Sequence, residues 1–245
     1  MFLLDGGSLV VDGYHLYWNV GPGGETRFPC YSVLIDHPEG KFLFDTGYDL
    51  LHVSKVLPFE KPLQSPQQSI PAQLSALGVE PGEITHVINS HYHFDHVGGN
   101  KYLTNATTVV HEREVEQSHH CEPFERLGYS DLSFDEIGPR YDLVDSDTEV
   151  ARGITVLESP GHTAGHVSLL VELGGRRPML FTGDAAYTRT SIERTIISGF
   201  HLDPVASVAS MRRLAAIAEE RDAELFYSHD AVSFAGWKKA PDFYA

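Results

Sequence analysis

The stretch Asn89–Asn100, NSHYHFDHVGGN, places His91, His93, Asp95 and His96 within six consecutive positions. Histidine is the commonest side-chain metal ligand, and a neutral imidazole suits zinc. The preceding run ITHVINS reads as a β-strand, so His91 and His93, two apart at its end, share a face and can reach one ion. Asp95 and His96 fall on the turn that follows, where the backbone can direct them elsewhere. A single tetrahedral zinc takes four ligands, and this stretch supplies four by itself.

The rest of the chain sets the frame. Its 245 residues allow one large domain with a substantial core over 1–245, and 42% hydrophobic against 21% charged residues is a globular balance. With 34 acidic and 18 basic residues the formal charge is −16, which repels phosphate backbones and anionic lipid; nucleic-acid and membrane partners are not expected. The start, MFLLDGGSLVVDG, lacks the basic and long apolar regions of a secretory signal, and no run is apolar enough to span a bilayer. Cys30 and Cys121 are the only cysteines and read as reduced packing residues. A cytoplasmic setting is expected.

Outward from the histidine stretch, SLVVDGYHLYWNV, CYSVLID and KFLFDTG read as early strands, and TTVVH, ITVLES, HVSLLVEL, PMLFTGD and AELFYSHD as later ones. SIPAQLSALG reads as a short helix between Ser69 and Gly78, and DPVASVASMRRLAAIAEE as a longer one capped by Asp203 with Pro204 at its first turn. This order predicts an α/β protein with sheets layered between helices. Residues 48–70 show no steady period and are expected to form a long ordered loop, a lid or a binding loop. HEREVEQSHH is expected to be a strand end followed by a solvated helix, with His111, His119 and His120 outside any site.

Further ligand candidates sit at strand ends, where α/β folds tend to build sites: His162 in ESPGHTAGH, Asp184 in LFTGDAAY and His229 in LFYSHD. Seven N/O ligands exceed one tetrahedral zinc and suit two ions that share a carboxylate. The expected division gives His91, His93 and His162 to one ion, and Asp95, His96 and His229 to the other, with Asp184 bridging. His166 is expected to support this region, and Asp45 to orient a ligand imidazole.

His-x-His-x-Asp-His, followed by GHTAGH, GDA and SHD and preceded by DTG at Asp45–Gly47, resembles the metallo-β-lactamase superfamily of dinuclear hydrolases. The likeness runs over nearly the whole chain. It implies an αββα sandwich with the metals at one edge of two sheets, and two Zn²⁺ per chain, with iron or manganese also accepted by such N/O donors. Within that superfamily β-lactamases commonly carry a cysteine near the Asp184 position, oxygen-reducing di-iron members a glutamate at the His93 position, and nucleases a basic surface. None of these features is present.

HFDHVGGN, and Tyr187 three residues after Asp184, look like the quorum-quenching lactonases of the superfamily. The resemblance implies that Tyr187 hydrogen-bonds the substrate carbonyl oxygen, and Asp95 can relay a proton. LLDGGSLVVDGYHLYWNVGPGG, RFPCYSVLI, KVLPFEKP, LGYSDLSF and FHLDPVASVASMRR are similar to 4-pyridoxolactonases, although between Phe134 and Glu149 the chain is shorter than that likeness implies. The expected activity is therefore hydrolysis of a small-molecule lactone, 4-pyridoxolactone first, with N-acyl homoserine lactone or γ-butyrolactone as alternatives. A glyoxalase II-like thioesterase is a further alternative, and a zinc-stabilised binding module the non-enzymatic one. Trp18, Tyr48, Phe200 and His201 are candidate walls for a flat ring, Arg27 a candidate partner for its hydroxyl, and the apolar residues of 48–70 a candidate trough for an acyl tail. Apolar loops of this kind also suit a homodimer.

Overall fold

The computed structural model describes residues 1–137, 140–172 and 174–245. Two sheets divide the sequence between them. The first runs β1 (Phe2–Asp12), β2 (Glu25–His37), β3 (Gly40–Phe44), β4 (His86–Ile88), β5 (Thr107–His111) and β6 (Tyr141–Val144), in that spatial order. Its first three strands are antiparallel and the rest pair in parallel. The second contains β7 (Thr148–Ala151), β8 (Ile154–Glu158), β9 (Val167–Val171), β10 (Met179–Phe181) and β11 (Glu224–Phe226), ordered 11-10-9-8-7. All its pairs are antiparallel except β10 with β11.

The strand sequences explain the layering. Successive strand residues face opposite sides of a sheet, so a strand that is apolar at every position must be covered twice. Leu3, Val33, Phe44, Ile88 and Val109 stand opposite one another across five strands. They meet Val156, Leu169, Phe181 and Phe226 of the second sheet in the central core. Their neighbours Leu4, Leu34, Leu43 and Val87 turn outward onto Ile70 and Leu74 of helix Ile70–Ala76. On the far side Leu157, Leu170 and Leu180 pack against Leu214 and Ala218 of helix Pro204–Glu220, whose Asp203 side chain accepts the N–H groups of Val205 and Ala206. Helix, sheet, sheet, helix is the predicted αββα order.

Several local expectations are revised. Residues 48–70 are not a loop: Asp49 caps helix Leu50–Val56 by accepting from Leu51 and His52, and two short 3₁₀ turns follow at Pro58–Glu60 and Pro66–Gln68. Buried Val53 and Leu57 anchor that helix, a spacing too short to stand out as periodic. The first strand begins at Phe2 rather than Ser8 and ends at Asp12, whose side chain caps the one-turn helix Gly13–Leu16. Its pairing with β2 shifts register between Asp5 and Ser8, where Gly7 takes φ +92°. HVSLLVEL is strand from Val167 to Val171, and its last residue lies outside the described residues, as do 138 and 139 within the segment that looked short. Among the described residues no helix is long and apolar enough to cross a membrane.

Candidate metal centre

β4 ends at Ile88, so His91 and His93 belong to the loop beyond it rather than to the strand; Asp95 and His96 lie on the single helical turn Phe94–Val97. This loop is stitched to the second sheet by Val167 N–H, which donates to Ser90 O at 2.8 Å. His162 follows β8, Asp184 follows β10 on the turn Gly183–Ala185, and His229 follows β11. All seven converge at one edge of the sandwich.

Asp184 stands between two groups of donors. Asp184 Oδ2 lies 3.3 Å from His162 Nε2 and 3.8 Å from His91 Nε2, whereas Oδ1 lies 3.3 Å from His96 Nε2 and 3.1 Å from His229 Nε2. His93 Nδ1 stands 3.0 Å from His162 Nε2 on the first side, and Asp95 Oδ2 stands 3.5 Å from both His96 and His229 on the second. His91 also lies close to His96, so the two groups adjoin.

The far ring nitrogens fix which atom faces the centre. His162 Nδ1–H donates to Phe200 O at 2.6 Å and His229 Nδ1–H to Pro29 O at 3.0 Å. A carbonyl only accepts, so in both rings Nε2 presents its lone pair inward. His96 Nδ1 lies 2.8 Å from Asp45 Oδ2, and His91 Nδ1 lies 2.9 Å from Ser90 Oγ, which donates to the same Asp45 oxygen at 2.8 Å. One carboxylate thus orients two imidazoles, and Asp45 holds a left-handed φ of +51° to do so. His166 supports the bridge: its Nε2 accepts the Asp184 N–H at 2.8 Å and its Nδ1 meets Ser159 Oγ at 2.9 Å.

Charge follows burial and neighbours. Burial and the adjoining rings hold His91 well below the ordinary imidazole range, and burial pushes His93 and His162 down to about 3, so this trio is neutral. Burial also opposes charge on His96 and His229, but the Asp184 and Asp95 carboxylates override it and raise both. His91 Nε2, His96 Nε2 and Asp184 Oδ1 are buried with no hydrogen-bond partner among the described residues. Inward-facing donors left unsatisfied, drawn from imidazole and carboxylate, fit a pair of bound metal ions.

A cavity of about 620 Å³ opens over Asp95, His93, His162, Asp184 and His229. Val10, Val11, Phe28, Leu57, Phe59 and Phe94 form its apolar wall, and Tyr187 lies beside the bridge, its ring centroid 4.7 Å from that of His229. Burial and the neighbouring Asp184 and Asp95 hold the Tyr187 phenol well above its ordinary range, hence protonated. Phe200 and His201 line the cavity, while Trp18, Arg27 and Tyr48 do not. Trp18 packs edge-on against His201 with centroids 4.4 Å apart; Arg27 reaches along the hairpin to Ser8 and to the Lys61 carbonyl; the Tyr48 hydroxyl donates to Ser8 O at 3.3 Å. Of the apolar residues expected from 48–70, Leu57 alone lines the cavity, joined by Phe59 and Glu60.

One residue was missed. Glu114, assigned to a solvated helix, is fully buried: its Oε1 accepts from Tyr92 N–H at 2.9 Å and Tyr129 Oη–H at 3.1 Å, its Oε2 from Thr163 Oγ1–H at 2.6 Å and Gly165 N–H at 3.2 Å. It joins the His91–His93 loop to the His162 loop. Cys30 packs among Leu9, Phe28 and Leu57, as expected of a core residue, with its sulfur near Asp95 and His229. Glu114 carries no sequence signal, since a glutamate in EREVEQ has an ordinary surface reading.

Residues 26–229 match the family model of the metallo-beta-lactamase superfamily. N-acyl homoserine lactonase AttM of Rhizobium radiobacter is 32% identical over 258 residues, covering 100% of this chain and 98% of that protein. N-acyl homoserine lactonase AiiA of Bacillus thuringiensis subsp. kurstaki is 29% identical over 241 residues, covering 94% and 92%. An N-acyl homoserine lactone hydrolase solved with N-hexanoyl-L-homoserine at its catalytic metal centre superposes with a TM-score of 0.86 at 27% identity, over 99% of this chain and 98% of that one. With this sandwich, this convergence of histidines and these matches, the chain belongs to the metallo-beta-lactamase superfamily.

Proposed function

We propose that the protein is a dinuclear metal-dependent lactonase acting on N-acyl homoserine lactones. The observation that carries this reading is the Asp184 carboxylate, which turns one oxygen to each of two donor sets directly beneath a cavity with one apolar wall. His91, His93 and His162 would hold one ion and Asp95, His96 and His229 the other, with Asp184 shared. When bound, such a pair polarises an ester carbonyl and activates water for attack on it. The remaining work belongs to the chain. Tyr187 donates its phenolic proton in a hydrogen bond to the lactone carbonyl oxygen, which strengthens as that oxygen gains negative charge. Asp95 passes a proton toward the departing ring oxygen. Val10, Val11, Phe28, Leu57 and Phe94 shield the reacting carbonyl from bulk water and hold an acyl tail.

Among the described residues the cavity lining contains no lysine or arginine, while Asp12, Glu25, Glu60 and Glu125 contribute carboxylates. That field admits a neutral lactone and repels the carboxylates of a glutathione thioester, which counts against the thioesterase alternative. 4-Pyridoxolactone, the substrate expected first, draws no support from the relatives, which are named as N-acyl homoserine lactonases; the apolar wall likewise suits a tail better than a small polar ring. Acid release by the zinc-loaded protein on hexanoyl-homoserine lactone and on 4-pyridoxolactone, side by side, tests the reading. Faster turnover of the acylated lactone supports it, and a preference for the pyridine lactone reverses the order.

A further inference from the structure

The turn Pro58–Glu60 carries Phe59 and Glu60 to the cavity mouth, where Phe59 stays 59% exposed. Buried Leu57 anchors one end of this segment, and Leu63, paired with Ser8 of β1, anchors the other. Between them, among the described residues, every polar contact from 58–62 to the rest of the protein is made by Lys61. Arg27 donates to its carbonyl from Nη1 and Nη2, each at 3.2 Å, and the same Nη1 donates to Ser8 Oγ at 3.1 Å. Glu25 pairs with its ammonium. Arg27 and Glu25 stand two apart on β2, hence on one face, and a guanidinium presents its donors in a fixed fork, so one side chain fixes strand and turn together. Lys61 closes the turn at φ +44°, a left-handed conformation that persists where neighbouring contacts over-determine it.

Resting on the reading that the cavity takes an acylated lactone, we propose that Arg27 is a positioning residue that sets preference for tail length. It lies outside the cavity lining, and acts by fixing Lys61 so that the turn holds Phe59 against the tail. Phe59 stands at the mouth, so only a tail long enough to extend there meets its ring. A short tail is covered by the inner wall and gains nothing from the turn.

The test is steady-state hydrolysis of butanoyl- and decanoyl-homoserine lactones by the zinc-loaded full chain, in wild type, Arg27→Gln, Phe59→Ala and the double variant. On the decanoyl lactone Arg27→Gln raises KM roughly tenfold, the worth of a lost hydrophobic contact, with kcat unchanged; the butanoyl lactone keeps both constants. Because Arg27 acts through Phe59, Phe59→Ala gives the same loss and the double variant no more. Arg27→Lys, which keeps a cationic donor, falls between. An unchanged KM, a change equal for both tails, or losses that add in the double variant overturn the Arg27 assignment and leave the lactonase reading standing. No turnover of either lactone by wild type overturns both. Should Arg27→Gln fail to fold, the cycle built on Arg27→Lys reads the same coupling.

Discussion

The carboxylate of Glu114 accepts the backbone N–H of Tyr92 at 2.9 Å, between two histidines of the site, and so helix Glu112–His120, which does not itself line the cavity, sets the path of the His91–His93 loop. The same carboxylate holds Thr163 and Gly165 beyond His162. Glu114→Ala leaves two backbone donors and two hydroxyls buried without an acceptor. Stability is expected to fall by about 3 kcal/mol, within the range for losing several buried bonds to a charged group, read by denaturant unfolding. Glu114→Gln keeps one accepting oxygen and should fall between. Equal unfolding midpoints for Ala and wild type would exclude this role.

Asp45 orients His96 directly and His91 through Ser90. Asp45→Asn retains the shape but removes the charge and half of the accepting capacity. Metal affinity should drop about 10- to 100-fold, as for other groups that orient a ligand imidazole. Competition with a chromophoric chelator measures it, and unchanged affinity would contradict the relay.

Tyr187→Phe removes one hydroxyl beside Asp184 and leaves the packing against His229 in place. If the phenol stabilises the developing oxyanion, kcat falls by about 10²-fold with little change in KM or metal content. A loss confined to KM would instead assign Tyr187 to ground-state binding.

Glu60 faces the cavity, and burial, reinforced by Asp95, raises its carboxyl from 4.5 to about 7. The folded state therefore keeps a proton that the unfolded chain releases, and stability drains away as pH climbs from 4.5 through 7. In metal-free protein Glu60→Gln should match wild type at the acid end and exceed it in melting temperature at pH 8. A constant offset across that range would show that the carboxyl does not titrate as described.

Much of this arrangement could be read from residue types because metal ligation and strand burial each impose a local pattern. TTVVH is β5 from Thr107 to His111, and the motifs around His91, His162, Asp184 and His229 sit where loops leave strands. The cavity wall was harder to read. Arg27 and Phe28 are neighbours, yet Phe28 reaches the cavity while Arg27 binds the hairpin and the Lys61 carbonyl. Adjacent strand residues face opposite sides, and nothing in the pattern says which side meets the cavity. Glu114 was misread because a helix rich in charge looks solvated until the loops that cover one of its carboxylates are known. Helix Leu50–Val56 was misread because a single cap and two buried side chains are too little pattern to separate it from a loop.

Each sheet is a contiguous half of the polypeptide: β1 to β6 end at Val144, and β7 begins at Thr148. Each donor set takes two members from the first half and one from the second, and the shared Asp184 belongs to the second. A chain severed between residues 144 and 148 would carry two incomplete claws. Neither fragment would carry a complete set, and both proposed sets would be whole only when the halves close on one another, as rivets across the seam.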